Sequence, residues 1–312
     1  EYDSEEELVQ LLSLDLLREN KFLHIGGGSN LLFIGNYQGV ILHSHIMGIE
    51  VKTVTDTDVF VRVGSGVVWD DFVAYCVAKN YGGVENLSLI PGEVGATPIQ
   101  NIGAYGVEVK DVIYKVECID VASGEKRIFT NPECKFAYRN SIFKHELKGK
   151  YIVTAVWFKL SRQPKINVNY GSLAEEIKQY PEPTILEVRQ AVVAIRQRKL
   201  PEPKVLGNAG SFFLNPGIDK NHFEKLQQQY PDMPFYDLHD GTFKVPAGWL
   251  IEQCGWKGRR SGGAAVYEKQ PLVIVNYTGE AYPEEIIGLE RRIIASVKDK
   301  FGVELHPEVD HI

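Results

Sequence analysis

The sequence predicts an α+β fold, and three observations predict it. Runs such as Val59, Val61 and Val63 alternate with polar residues in the two-residue period of a strand. The strand-like runs cluster along the chain instead of taking turns with helices, which excludes regular βαβ repeats. Between them stands "YGGVENLSLIPGEVGATPIQNIGAYG", residues 81–106, dense in Gly, Pro, Asn and Thr. A compact domain carries so long a loop when the loop binds something.

The elements follow in order. Residues 4–18 have the pattern of a short amphipathic helix. "FLHIGGGSNLLF" sets three glycines between two strand-like runs, and residues 39–80 give two or three strands and then a helix from Val68 to Lys79. Residues 112–121 and 151–160 read as strands. Ser172-x-x-Glu175 and Thr184-x-x-Glu187 both have capping-box spacing. The second opens a helix to about Arg198, with Ile185, Val188, Val192 and Ile195 on its apolar face, and "KLPEPK" ends it. A helix in "IDKNHFEKLQQQY", a strand running into a helix in "GTFKVPAGWLIEQCGW" and a buried strand "PLVIVNY" come next. Pro283 opens and Gly302 closes a long helix. "VELHPEVDHI" reads as a final strand interrupted by Pro307.

A chain of 312 residues with 44% hydrophobic residues is expected to form about two domains with real cores. A net charge of −7 argues against nucleic acid or an anionic membrane as the main partner, while leaving room for an anionic small ligand. There is no apolar run near membrane-spanning length, so no membrane insertion is expected. The acidic start "EYDSEEELVQLL" is no secretory signal. It lacks an initiator Met, so the chain is expected to start inside a longer gene product. Cys76, Cys118, Cys134 and Cys254 form no C-x-x-C pair, and no His stands at metal-ligand spacing from any of them. Reduced thiols in a cytoplasmic protein without a metal are expected.

Gly26-x-Gly28 starts a dinucleotide fingerprint, but Leu31 occupies the third glycine position. No Gly-Lys-Ser/Thr follows, so a P-loop is excluded. Two readings of the three glycines stand: a tight hairpin turn, or a nest of N–H groups for an anion. The 81–106 loop supplies a second run of backbone donors. Two such loops in one domain fit a large ligand with a diphosphate and polar rings. In "GNAGSFFLNP", Ser211 sits between small residues and Phe212 and Phe213. It is either a turn serine or one that reaches a ligand in a pocket the two aromatics keep dry.

"HIGGGSNLLF", "VGSGVVWDDFVAY", "NLSLIPGEVGATPIQNIGAYG", "FAYRNSIFK", "LPEPKVLGNAGSFFLNP", "AGWLIEQCGWKG", "GGAAV" and "HPEV" resemble, in this order, signature segments of the UDP-N-acetylenolpyruvoylglucosamine reductases. "NVNYGSL" is similar to the tyrosine-bearing loop of the type I form. The resemblance covers nearly the whole chain, except for an Asn-Thr-containing segment expected before the first helix. It implies the FAD-binding fold of vanillyl-alcohol-oxidase-like proteins: two α+β subdomains and a third α+β substrate-binding domain. On this chain they would be residues 1–50, joined by the C-terminal strand 303–312; residues 51–198, with the tyrosine loop near 164–172; and residues 199–302.

The resemblance also implies a cytoplasmic, monomeric enzyme of peptidoglycan precursor synthesis. It would use non-covalent FAD, with NADPH as co-substrate and a nucleotide sugar as substrate. NADPH reduces the flavin. The flavin then reduces the vinyl group of the enolpyruvyl ether, and the carbon beside the carboxylate takes a proton. Matching positions assign Ser211 as proton donor, Glu308 as general acid or hydrogen-bond donor to the enolate, and Arg139 as its charge stabiliser. Burial of Glu308 on a short strand would raise its pKa to suit. Cofactor contacts would fall to Gly26, Gly27, Gly28, Ser29, Asn30, Pro91, Gly92, Gly95, Ala96, Thr97, Ile99, Gln100, Asn101, Gly103 and Ala104. Substrate contacts would fall to Tyr170, Arg196, Lys199, Asn215 and Lys257. Two other readings stay open: an oxidase of the same fold acting on another small molecule, and a non-catalytic flavin or nucleotide-sugar binding protein.

Overall fold

A computed structural model describes residues 1–312. The chain divides into two compact units: Glu1–Gly28 with Gln38–Arg196, and Ser29–Tyr37 with Gln197–Ile312.

The first unit is built on a five-stranded antiparallel sheet. Its strands run in the order Ile49–Val54, Asp58–Gly64, Tyr151–Ser161, Ile113–Asp120 and Lys126–Thr130. The alternation at Val59, Val61 and Val63 turns all three into the core. Helix Trp69–Ala78 covers them with Trp69, Phe72, Val73 and Cys76. Trp69, Phe72 and Phe158 form an aromatic cluster with centroids 4.7–5.9 Å apart. Trp69 Nε1 donates to the carbonyl of Leu87 at 2.8 Å, so the ring that anchors the helix also anchors the start of the long loop. Lys126–Thr130 escapes sequence reading because it is an edge strand with only Phe129 buried.

Residues 4–18 form two helices, not one. Ser4 caps Glu5–Ser13 by accepting from the Glu7 N–H, and extended backbone at Leu14 separates it from Asp15–Glu19. Strands Phe22–Ile25 and Val40–His43 pair in parallel. The Thr184 box forms: Thr184 N–H and hydroxyl donate to the Glu187 carboxylate at 2.6 and 2.7 Å, ahead of helix Ile185–Lys199. The Ser172 box does not. Tyr170 stands at the N-cap of Gly171–Ile177, so Ser172 lies inside the first turn.

Glu117 lies 4% exposed on the sheet. It accepts from Arg62 Nε and Nη2 at 3.1 and 2.9 Å, from Lys126 Nζ at 2.9 Å and from Trp157 Nε1 at 2.6 Å. Burial alone would raise its pKa. The hydrogen bonds from Arg62, Lys126 and Trp157 outweigh it and hold the carboxyl at about 2.

In the second unit, a four-stranded antiparallel sheet runs Asn208–Ser211, Val273–Asn276, Ala264–Val266, Arg260–Ser261. Helix Pro283–Phe301 packs Ile286, Leu289, Ile293 and Val297 into the core, and Gly302 ends it at φ 67°. A smaller sheet joins Gly217–Asp219, Thr242–Lys244 and Tyr236–Asp237. The final strand shrinks to Asp310–His311, paired in parallel with Leu31–Leu32, plus a single bridge between Phe213 and Pro307. Pro307 has no N–H to continue a ladder. No helix is long and apolar enough to cross a membrane.

Candidate active site

In the first unit the glycines of Gly26–Gly28 end the strand Phe22–Ile25, and the N–H groups of Gly27 and Gly28 donate to no backbone carbonyl. Gly28 has φ +67°, which glycine adopts without strain. A Cβ on Gly27 would lie 3.4 Å from Gly92 Cα, so the two glycine loops of the sequence meet backbone against backbone. Beside them, Glu93 accepts from or donates to nothing through Oε2, which is buried, while its Oε1 lies 2.8 Å from His43 Nε2. Gly95 backs onto Ser65, where a Cβ would approach to 2.6 Å.

The 81–106 loop is held by polar groups from below. Asp70 takes both ends of Arg189 at 2.6 and 2.8 Å and accepts from the Leu89 N–H at 2.5 Å. Burial alone would raise the Asp70 pKa, but the Arg189 bonds and the Leu89 N–H carry it below its ordinary value. Arg196 Nε in turn donates to the Leu89 carbonyl at 3.2 Å, and the Arg196 charge lies near Tyr105. Burial lowers the Arg196 pKa and raises that of Tyr105. Arg139 Nη2 donates to the Gly103 carbonyl at 2.7 Å and Nη1 to that of Asn101 at 3.5 Å. The loop thus aims two guanidinium groups by its own carbonyls. That is a setting for an anionic ligand.

Seven non-glycine residues have positive φ, and four of them, Leu89, Asn101, Tyr105 and Arg139, belong to this one network. Strain of this kind persists where surrounding structure over-determines it and gathers at functional sites. Tyr170 packs edge-on to Tyr105 at 6.0 Å and is 38% exposed, followed by Gly171 at φ +29°. Sequence reasoning missed Tyr105, Asp70 and Arg189. Nothing in their spacing announces them.

Two predicted cofactor residues have their side chains committed inside the unit. Asn101 is fully buried, donating to Glu108 and to the Ala137 carbonyl and accepting from the Lys110 N–H. Thr97, 2% exposed, donates to the Val94 carbonyl at 2.8 Å. Pro91, Ala96, Ile99 and Gln100 line the same loop, and Gly103–Ala104 form a short hairpin with Val107–Glu108.

In the second unit, Ser211 ends the strand Asn208–Ser211 and is exposed. Phe212 and Phe213 do not wall it off from water as expected. Their rings, 2% and 1% exposed, belong to the core. Glu308 is half-buried and lies one residue beyond the Pro307 bridge, not on a buried strand. Its N–H donates to the Phe212 carbonyl at 2.8 Å, so the segments carrying Ser211 and Glu308 adjoin. Ser29 and Asn30 also fall in this unit. Asn215 Oδ1 accepts from the Ala247 N–H at 2.9 Å at the start of helix Ala247–Gln253. Lys257 is exposed and paired with Glu252 at 2.7 Å, and Lys199 is exposed.

A family profile described as FAD binding domain matches residues 1–129, and one described as UDP-N-acetylenolpyruvoylglucosamine reductase, C-terminal domain, matches residues 202–312. The UDP-N-acetylenolpyruvoylglucosamine reductase of Bacteroides fragilis is 52% identical over 312 residues, covering 100% of this chain and 93% of that protein. That of Porphyromonas gingivalis is 47% identical, covering 100% and 92%. The crystal structure of the Thermus caldophilus reductase superposes with a TM-score of 0.67 at 25% identity, over 99% of this chain and 90% of that one. p-Cresol methylhydroxylase superposes with a TM-score of 0.51 at 11% identity, over 96% and 79%, a likeness of fold alone. The fold is the α+β FAD-binding type of the vanillyl-alcohol-oxidase-like proteins.

Proposed function

This chain belongs to the UDP-N-acetylenolpyruvoylglucosamine reductase family, and on that premise we propose that it reduces UDP-N-acetylglucosamine enolpyruvate to UDP-N-acetylmuramate, with NADPH as reductant and non-covalent FAD. In this reading it acts as a cytoplasmic monomer in peptidoglycan precursor synthesis, with residues 199–302 as the substrate-binding domain.

The residues present fit a flavin dinucleotide. The open N–H groups of Gly27 and Gly28 suit phosphate oxygens. The buried Glu93 Oε2, 3.4 Å from where a Gly26 Cβ would stand, suits a hydroxyl of the ribityl or ribose chain. Gly26, Gly27, Gly28 and Gly92 would hold the group through backbone. FAD, when bound, supplies the two-electron reduction of the vinyl group.

The chain's own residues do the rest. Reduction of the vinyl ether leaves negative charge on the carbon beside the carboxylate. Ser211 Oγ gives that carbon its proton, and solvent restores the hydroxyl, because Ser211 is exposed. Arg139, its guanidinium oriented by the Asn101 and Gly103 carbonyls of its own unit, is assigned to stabilise the enolate charge. Glu308 donates a hydrogen bond to the same charge. The observation that carries this assignment is the Glu308 N–H to Phe212 carbonyl bond, which sets the two proton-bearing groups on adjoining segments.

Anaerobic titration tests the reading. Purified protein is expected to be yellow, with about one FAD per chain released by acid precipitation. NADPH should bleach the flavin band, and the enolpyruvyl nucleotide should restore it. Flavin that stays with the acid precipitate refutes non-covalent binding. A band restored by oxygen but not by that nucleotide refutes the reductase.

Tyr170 is proposed to close on the substrate diphosphate, hinged at Gly171. Tyr170→Phe should raise KM for the nucleotide sugar while leaving bleaching by NADPH unchanged. An unaltered KM would remove Tyr170 from the substrate site.

A further inference from the structure

We propose that Asn30 is a positioning residue for Glu308: it fixes the backbone that presents this carboxyl and thereby sets the rate of protonation. The inference rests on the reductase reading above.

Asn30 stands in "GGGSN", which the sequence assigns to cofactor binding. In the second unit it has another task. Asn30 Nδ2 donates to the Glu308 carbonyl at 3.0 Å, across 278 positions of sequence. The Asn30 carbonyl accepts from the Asp310 N–H at 3.0 Å. One residue thus clasps the chain on both sides of Val309. The opposite edge of the same segment is held by the Ser211 side: the Glu308 N–H donates to the Phe212 carbonyl at 2.8 Å, and the Leu214 N–H to the His306 carbonyl at 2.9 Å.

The backbone N–H and C=O of Glu308 are therefore both in use, in two different segments. Pro307, just before it, has its φ fixed by its ring. Neither peptide plane flanking Glu308 can turn without breaking a hydrogen bond, so the clasp fixes the Cα–Cβ direction from which the side chain starts. A group that steadies the enolate, displaced by about 1 Å, can cost roughly 10²-fold in the rate of its protonation by Ser211. The ladder beyond does not depend on the Asn30 side chain. Ile312 N–H donates to the Leu32 carbonyl and Ile34 N–H to the Ile312 carbonyl, each at 2.9 Å. Removing the amide should loosen the aim of Glu308 and leave the fold standing.

The test compares Asn30→Ala, Asn30→Asp and wild type by anaerobic stopped flow. Asn30→Asp keeps the shape and loses the donor. In both variants bleaching by NADPH is expected to be slowed far less than the return of the flavin band. Return of the flavin band at saturating enolpyruvyl nucleotide should slow roughly 10- to 100-fold, with a larger solvent deuterium isotope effect and little change in substrate Kd. In the cofactor-free variants, amide hydrogen exchange over residues 308–312 should quicken while the thermal midpoint stays near that of wild type. Loss of FAD, or equal slowing of both steps, makes Asn30 a cofactor or folding residue and overturns the proposal. So does Asn30→Asp at the wild-type rate. Wild-type protein whose band the nucleotide never restores brings down the reductase reading itself, a result distinct from any failure of the variants.

Discussion

Ser211→Ala is expected to bleach with NADPH within a fewfold of wild type and to recover its flavin band on substrate at least ~10²-fold more slowly. The structure makes this change a clean one. Ser211 ends its strand with an exposed hydroxyl, while its neighbours Phe212 and Phe213 fill the core. Deleting the oxygen opens no cavity and strands no partner, so a loss of rate reports chemistry and not packing. Ser211→Cys should keep more activity than alanine, because a thiol still donates a proton. Glu308→Gln should separate the steps in the same way. A Ser211→Ala protein that sheds FAD, or is slow only with NADPH, would make "GNAGSFF" a cofactor or packing loop.

Glu117→Gln is expected to lower stability by about 3 kcal/mol at neutral pH. That is the worth of a carboxyl moved from 4.5 to about 2. Because the folded pKa is depressed, the contribution is complete above the unfolded value near 4.5 and drains away as pH falls towards 2. Arg62 and Lys126 keep Glu50 and Glu5 as partners at 3.1 and 2.9 Å, which limits the harm and keeps the figure near this value. Urea unfolding of both proteins at pH 7 and pH 3 measures it. The gap should be wide at pH 7 and narrow in acid. Equal stabilities at pH 7 would mean that the penalty for burying these charges cancels their attraction.

Much of the fold was legible because it is local. Val59, Val61 and Val63 alternate; Thr184 and Glu187 stand three apart; Pro283 and Gly302 bracket a helix. The same local logic misled at Ser172, where Tyr170 took the cap, and was silent at Lys126–Thr130, whose outer face carries no pattern. The candidate site was legible only as residues. The left-handed backbone of Tyr105 belongs to the tight turn joining Gly103–Ala104 to Val107–Glu108, and that of Arg139 to a turn closed between Ala137 and Asn140, while Leu89 is held by Asp70 and Arg196 from elsewhere in the chain; no feature of these residue types calls for it. The clasp of Asn30 on Glu308 joins residues 278 positions apart, beyond the reach of any short motif.

The parallel pairing of Leu31–Leu32 with Asp310–His311 bears on the order in which the protein is made. The second unit owns residues Ser29–Tyr37, yet everything else in it begins at Gln197. At about 5–20 residues per second, roughly 15 to 55 s of translation separate the two halves of that pairing. Throughout the interval the edge of Leu31–Leu32 has no strand to meet, and Phe33 and Ile34, still 37% and 47% exposed in the finished fold, stand beside it. An unpaired apolar edge is a template for the wrong neighbour, so the newborn chain is most vulnerable to association with other copies, or most in need of a chaperone, until Asp310 and His311 leave the ribosome. The segment bearing Glu308 is locked in place only once that pairing forms.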